Sequence, residues 1–209
     1  MDAIFDEVIA TRTRLRELMR ETGPVTGGKD ADHINEPARQ FIAHSPFLIL
    51  STIGKDGRID SSPKGDPPGF VEVIDKHTLI IPDRLGNHRL DSYENILVNP
   101  AVGLIFMIPG FTETLRMAGT ARIIVDSGVQ ERHKVNGKAP VLALAVTITE
   151  AFMHCSKAFV RSRLWKQEQW PSLEGVPTLA DWVKCVVPIP DSLETVQGWH
   201  DRDARDRLY

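Results

Sequence analysis

The chain reads as a mainly β protein with peripheral helices, its strands forming a closed or partly closed antiparallel barrel. Three observations predict this class. Six or seven short, apolar, β-rich runs follow one another at close spacing through the middle of the sequence. Turn signals such as Lys55-Asp56-Gly57 and Asp75-Lys76-His77 join neighbouring runs as hairpins. A single helical stretch interrupts them, whereas parallel strands would need a helix at every crossover.

The elements follow in order. Over residues 4–19, Ile4, Val8, Leu15, Leu18 and Met19 fall near one helical face, so an amphipathic helix is expected there, closed by Gly23-Pro24. Residues 25–32 read as a loop. Asn35 is a good N-cap for a short helix through Ala43, which Ser45-Pro46 ends. The hydrophobic period then changes from helical to extended. Phe47–Ile53 and residues 58–62 form a hairpin, and Asp66-Pro67-Pro68-Gly69 breaks the chain as a stiff turn. Residues 71–74 and 78–81 form a second hairpin. A helix at 90–97 stops at Asn99-Pro100, and residues 102–108, 114–125 and 142–148 complete the strands. Further on, residues 155–165 have helical composition, and Thr178 caps a helix from Leu179 toward Lys184. Pro188-Ile189-Pro190 is extended, and residues 199–209 read as a frayed tail. With no repeats, the expectation is one domain over 1–209, with N-terminal helices (about 1–45) and a C-terminal helical extension (about 150–209).

Composition narrows the function. A net charge of −3 gives no basic surface for nucleic acid. No apolar run approaches the ~20 residues that cross a bilayer, so no membrane partner is expected. The acidic opening Met1-Asp2-Ala3-Ile4-Phe5-Asp6-Glu7 lacks the basic region of a signal peptide. Cys155 and Cys185 have no paired spacing, which reads as reduced thiols in a cytoplasmic protein. The histidines are scattered, so no metal site is expected.

The chemistry concentrates at Pro82-Asp83-Arg84-Leu85-Gly86-Asn87-His88-Arg89, between a β-branched run and a helix. Guanidinium groups and unpaired backbone N–H groups at a helix start suit an anion, phosphate above all. The same turn also reads as a solvated loop whose polar residues cap the helix. Cys155 reads most simply as a small half-buried thiol, and the four tryptophans as core or interface residues. No Ser-His-Asp or paired-carboxylate arrangement is present, so no catalytic residue is assigned.

Taken as an ordered set, Ser51-Thr52-Ile53-Gly54-Lys55-Asp56-Gly57-Arg58, Ser61-Ser62-Pro63-Lys64-Gly65, the turn from Pro82 to Arg89, and Asn99-Pro100 resemble the pyridoxamine 5′-phosphate oxidase-like superfamily. The nearest likeness is to a subgroup of FMN-dependent proteins with no assigned substrate. The resemblance implies a six-stranded antiparallel split β-barrel, in a homodimer with FMN at the subunit interface. It places the flavin phosphate on Lys64, Asn87 and Arg89, with Arg84 just ahead. The ring then lies along the strand carrying Ser61 and Ser62 and near Pro82 and Asp83. Thr114 and Arg116 match a region that reaches flavin from the other chain. Cys155, Ser156 and Lys157 match a segment that also touches FMN, and Arg207 belongs to an Arg-containing C-terminal motif.

Two positions depart from the vitamin B6 oxidase itself. Its strand-initial arginine corresponds to Ile59, with Arg58 one residue off and on the opposite face. Its Arg-x-His is replaced by Arg205-Asp206-Arg207. The expectation is an FMN-dependent oxidoreductase acting on a small molecule other than pyridoxamine phosphate. The alternatives are a non-catalytic flavin carrier or sensor, and a heme-binding split barrel using His154 or His200.

Overall fold

The computed structural model describes residues 4–19 and 21–209. The chain divides into two compact units, Met1–Asp30 and Ala31–Tyr209. In the first, helix α1 (Arg12–Leu18) begins where Thr11 accepts a hydrogen bond from the Arg14 amide. That cap shortens the helix expected over residues 4–19, and Glu7 is instead drawn into an ion pair with Arg14 at 2.7 Å. A single turn, α2 (Pro24–Gly27), follows within the expected loop. Residues 1–3 of the acidic opening lie outside the described residues.

The second unit begins with α3 (Glu36–His44), capped by Asn35 as the sequence predicts. Strands β1 (Phe47–Ile53) and β2 (Ile59–Gly65) form the first hairpin, with Gly57 at φ +73° in its turn. Then come β3 (Glu72–Val73), β4 (Thr78–Pro82), α4 (Asp91–Val98), β5 (Ala101–Met107), β6 (Thr114–Ile124) and α5 (Ser127–Arg132). The unit continues with β7 (Ala143–His154), α6 (Lys157–Ser162), a 3₁₀ turn (Gln167–Gln169), α7 (Leu179–Val186) and α8 (Leu193–Asp206). All strand pairs are antiparallel, in the order β2-β1-β5-β6-β7-β4-β3. The sheet has seven strands rather than six, because Glu72–Val73 adds a two-residue edge to β4.

Alternation along the strands builds the core. Leu48, Leu50 and Thr52 of β1 face inward and pair with Phe106, Leu104 and Val102 of β5. Leu115 and Met117 of β6 lie beside Phe106 and Leu104 in the next register. Leu79 and Ile81 of β4 meet Val146 and Leu144 of β7. The apolar face of α3 (Ala38, Phe41, Ile42) and Tyr93 and Ile96 of α4 join the same cluster. Burying each such large side chain contributes about 1.5–3 kcal/mol.

Candidate functional site

The site follows from what the sheet leaves unpaired. β2 is one edge of the order, and no ladder joins it to β4 or β3 at the other end. The barrel is therefore split along this line, and a cleft of about 590 Å³ lies across the split. One wall is the strand from Asp60 to Lys64. The other is the turn that leaves β4 at Asp83, and the floor is the first turn of α4. Pro63 is tolerated in β2 because an edge strand can spare a donor. A smaller hollow of about 330 Å³ shares Ser62, Lys64 and Arg84 and reaches Pro82 and Phe70.

Two consecutive residues of α4 tie the walls together. The Ser92 hydroxyl donates to Asp60 Oδ2 at 2.7 Å on one side, and the Tyr93 hydroxyl donates to Asp83 Oδ1 at 2.6 Å on the other. Burial first, and the Asp83 carboxylate second, push the Tyr93 phenol well above its ordinary range, so it stays a protonated donor. The Lys64 ammonium stands 5.6 Å from the centroid of the Tyr93 ring.

The turn before α4 is strained. Asn87 Oδ1 accepts from the Arg89 amide at 3.1 Å. His88 and Leu90 both adopt the left-handed region, at φ +57° and +60°. Such conformations cost on the order of 1–3 kcal/mol each in residues other than glycine, and they cluster where binding demands a fixed backbone. Leu90 offers α4 no side-chain cap, which leaves first-turn amides available to a ligand. Arg89 Nε donates to Asp91 Oδ2 at 2.7 Å on the exposed rim. That contact holds the Asp91 carboxyl below its usual range. Arg84 lines the cleft, but its Nε donates to Asp66 at 2.6 Å and its Nη1 to the His133 carbonyl at 2.9 Å.

Within one chain, then, Ser61, Ser62, Lys64, Pro82, Asp83, Arg84, Asn87 and Arg89 converge on the cleft and its extension. Arg207, paired with Asp203 at 3.0 Å, borders a third hollow of about 250 Å³ beside Arg84. Thr114, Arg116, Cys155, Ser156 and Lys157 lie elsewhere. Thr114 is buried and pairs with His154, while the Arg116 guanidinium lies 5.0 Å from the Phe152 ring centroid. Cys155 is exposed, Ser156 is the N-cap of α6 and Lys157 its first residue. They sit past the far end of β7, roughly 40 Å along that strand from Leu142 at the cleft, at ~3.3 Å per residue. Sequence reasoning missed Asp60, Ser92 and Tyr93. Nothing in a linear pattern separates a helix-start serine or tyrosine that bonds across 32 or 10 residues from one that faces water.

The arrangement can take a ligand with an anionic group and a flat apolar body. Among the described residues no group of His, Cys, Asp and Glu is placed to hold a metal ion, and no helix is long and apolar enough to cross a membrane.

Fold and site together define an antiparallel split barrel with a polar, charged cleft across the split. The family model described as pyridoxamine 5′-phosphate oxidase matches residues 34–155, more than half of the chain, and the chain belongs to that family. No match was found among curated proteins. Among solved structures the chain is similar to HupZ of Group A Streptococcus, with 18% identity, coverage of 55% of this chain and 89% of that one, and a TM-score of 0.44. It is also similar to general stress protein 26 from Bacillus anthracis (16% identity, 52% and 83% coverage, TM-score 0.41). HutZ, the heme storage protein from Vibrio cholerae, shows 14% identity, 58% and 93% coverage and a TM-score of 0.40.

Proposed function

We propose that the chain binds FMN in this cleft and works as an oxidoreductase on a small organic molecule. The observation that carries the reading is the half-buried Lys64 ammonium, which has no carboxylate partner among the described residues and stands over the Tyr93 ring at the cleft floor. A half-buried cation of this kind donates charge-assisted hydrogen bonds to a terminal phosphate. The cleft volume lies within the range of small-molecule and cofactor sites. In this reading Lys64 and the Asn87–Arg89 turn hold the phosphate, and Ser61 and Ser62 line the ring's path along β2. The Tyr93 hydroxyl, donating to Asp83, lies beneath it. The flavin would supply hydride transfer at its N5 position, and the protein's part is to bind, orient and shield it.

Homodimerisation belongs to the same proposal. Thr114, Arg116 and Cys155–Lys157 cannot reach the cleft of their own chain, so a second copy would bring them there. Pyridoxamine 5′-phosphate is not the expected substrate. The Arg-x-His of the vitamin B6 oxidase is replaced by Arg205-Asp206-Arg207, and the central aspartate, beside Arg205 at 2.7 Å, would repel a second phosphate. An oxidase assay on that substrate with catalytic efficiency near ~10⁴ M⁻¹s⁻¹, the low end for ordinary enzymes, overturns this point.

The deciding experiment is the visible spectrum of the purified protein with mass identification of the released cofactor. Flavin bands and the FMN mass support the reading. A Soret band instead assigns heme, for which His88 is the imidazole lining the cleft. Turnover with reduced nicotinamide then separates an enzyme from a flavin carrier.

A further inference from the structure

We propose that Asp66, Arg84 and Tyr209 form a clamp across the split that sets the width of the cleft; as a device for cofactor retention it rests on the flavin reading above. β2 ends at Gly65 and β4 at Pro82, and no backbone ladder connects the two. Asp66 is the first residue beyond β2, and Arg84 lies two residues beyond β4. Their ion pair, at 2.6 Å, is therefore a direct bond between the two walls, and only 1% of the Asp66 side chain is exposed.

The same carboxylate has a second partner. Its Oδ1 accepts from the Tyr209 hydroxyl at 2.6 Å, and the Arg84 guanidinium stands 5.8 Å from the Tyr209 ring centroid. Tyr209 is anchored from behind, since Lys138 Nζ donates to its carbonyl oxygen at 2.6 Å. With the Arg84 bond to the His133 carbonyl, four stretches of chain converge on one buried carboxylate. Separating a buried ion pair leaves an uncompensated charge, a heavy penalty, so this junction resists opening. The turn carrying Asn87 and Arg89 starts at Arg84, and its distance from Lys64 follows from where Arg84 is pinned. Arg84 is thereby a positioning residue, with two of its donors committed to the protein, while Lys64 remains for the ligand.

The test uses Tyr209→Phe, which keeps the ring over Arg84 and removes the hydroxyl donor, and Lys138→Met, which releases the anchor behind it. Hydrogen exchange of the amides in residues 84–90 is compared with that in α3 and β5, and FMN dissociation is followed by stopped-flow fluorescence. For Tyr209→Phe, exchange in 84–90 and FMN release are both expected to accelerate by about tenfold, the loss of one hydrogen bond to a charged group. Exchange in α3 and β5 should stay unchanged, and Lys138→Met should act in the same direction. Unchanged exchange in 84–90 in both variants overturns the clamp. A uniform rise that includes α3 and β5 reduces it to general stability and overturns it also. Faster exchange with unaltered FMN release removes its role in cofactor retention. If the wild-type protein binds no flavin, the exchange result still decides the clamp, and the flavin reading alone falls.

Discussion

Lys64 and Arg89 face the same cleft in different electrical circumstances. Lys64 is half-buried, rests over Tyr93 and makes no ion pair among the described residues, whereas Arg89 is exposed and already bound to Asp91. A phosphate gains the whole interaction with Lys64 but must compete with a carboxylate for Arg89. Lys64→Ala should therefore cost about 1.5–3 kcal/mol, or tenfold to a hundredfold in FMN affinity, and Arg89→Ala less. Fluorescence titration measures both, and a Lys64→Ala protein with wild-type affinity removes the phosphate from this position. Tyr93 gives a second residue-level expectation. Its phenol is raised by burial and by Asp83, so in alkali the unfolded chain loses this proton near pH ~10 while the folded one keeps it. The unfolded state then binds fewer protons, and stability falls as pH rises above ~10. Urea unfolding between pH 9 and 11 should show a steeper loss for wild type than for Tyr93→Phe, with Tyr209 common to both as a background. Parallel slopes would show that the Asp83–Tyr93 bond does not persist in solution.

At the scale of elements, the pairing of β6 with β7 depends on one glycine. The register shifts between Ala118 and Gly119, and a β-carbon at 119 would overlap the Thr147 carbonyl oxygen of the facing strand. The atom it meets is backbone, so both strands must move. Gly119→Ala should destabilise by more than ~3 kcal/mol, in the range of severe single substitutions, and a thermal midpoint close to wild type would contradict the bulge geometry. This bulge illustrates what the sequence could and could not convey. The β1–β2 hairpin was legible because an apolar run and the Lys55-Asp56-Gly57 turn are local signals. The caps Asn35 and Thr178 were legible for the same reason, the latter completing a capping box with Asp181. Other elements depended on partners far away in the chain. β7 runs on through Glu150 to His154 because β6 is long enough to pair with it, and Glu150 in isolation reads as a strand end. Residues 199–209 looked like a frayed charged tail, yet most of them continue α8, which Ser192 caps well upstream of that stretch. In the site, Lys64 and the turn after β4 were visible as contiguous motifs. The Asp60–Ser92, Asp83–Tyr93 and Asp66–Tyr209 bonds were not, since each joins ordinary polar residues that only the fold brings together.

For the whole molecule, the question is whether one copy suffices for a complete site. The residues that the family likeness assigns to flavin fall into two groups at opposite ends of β7. One lines the cleft beside Leu142, and the other, Thr114, Arg116 and Cys155–Lys157, surrounds His154. A strand of 12 residues is too stiff and too long to fold one group onto the other. The proposed two-fold pair of chains would resolve this, because the interface would then be self-complementary and each copy would lend its far end to the other's cleft. The FMN-loaded protein should thus show twice the 23.3 kDa chain mass by light scattering. Mass alone does not prove a shared site, so the sharper test uses two variants with separate lesions. Lys64→Ala and Arg116→Ala should each weaken FMN binding when prepared alone. In a mixed dimer one cleft carries both substitutions and the other carries neither, so co-expression should restore a fraction of sites with wild-type affinity. A site built within one chain gives no such recovery, and a titration of the co-expressed protein showing only weak sites would reject the shared arrangement.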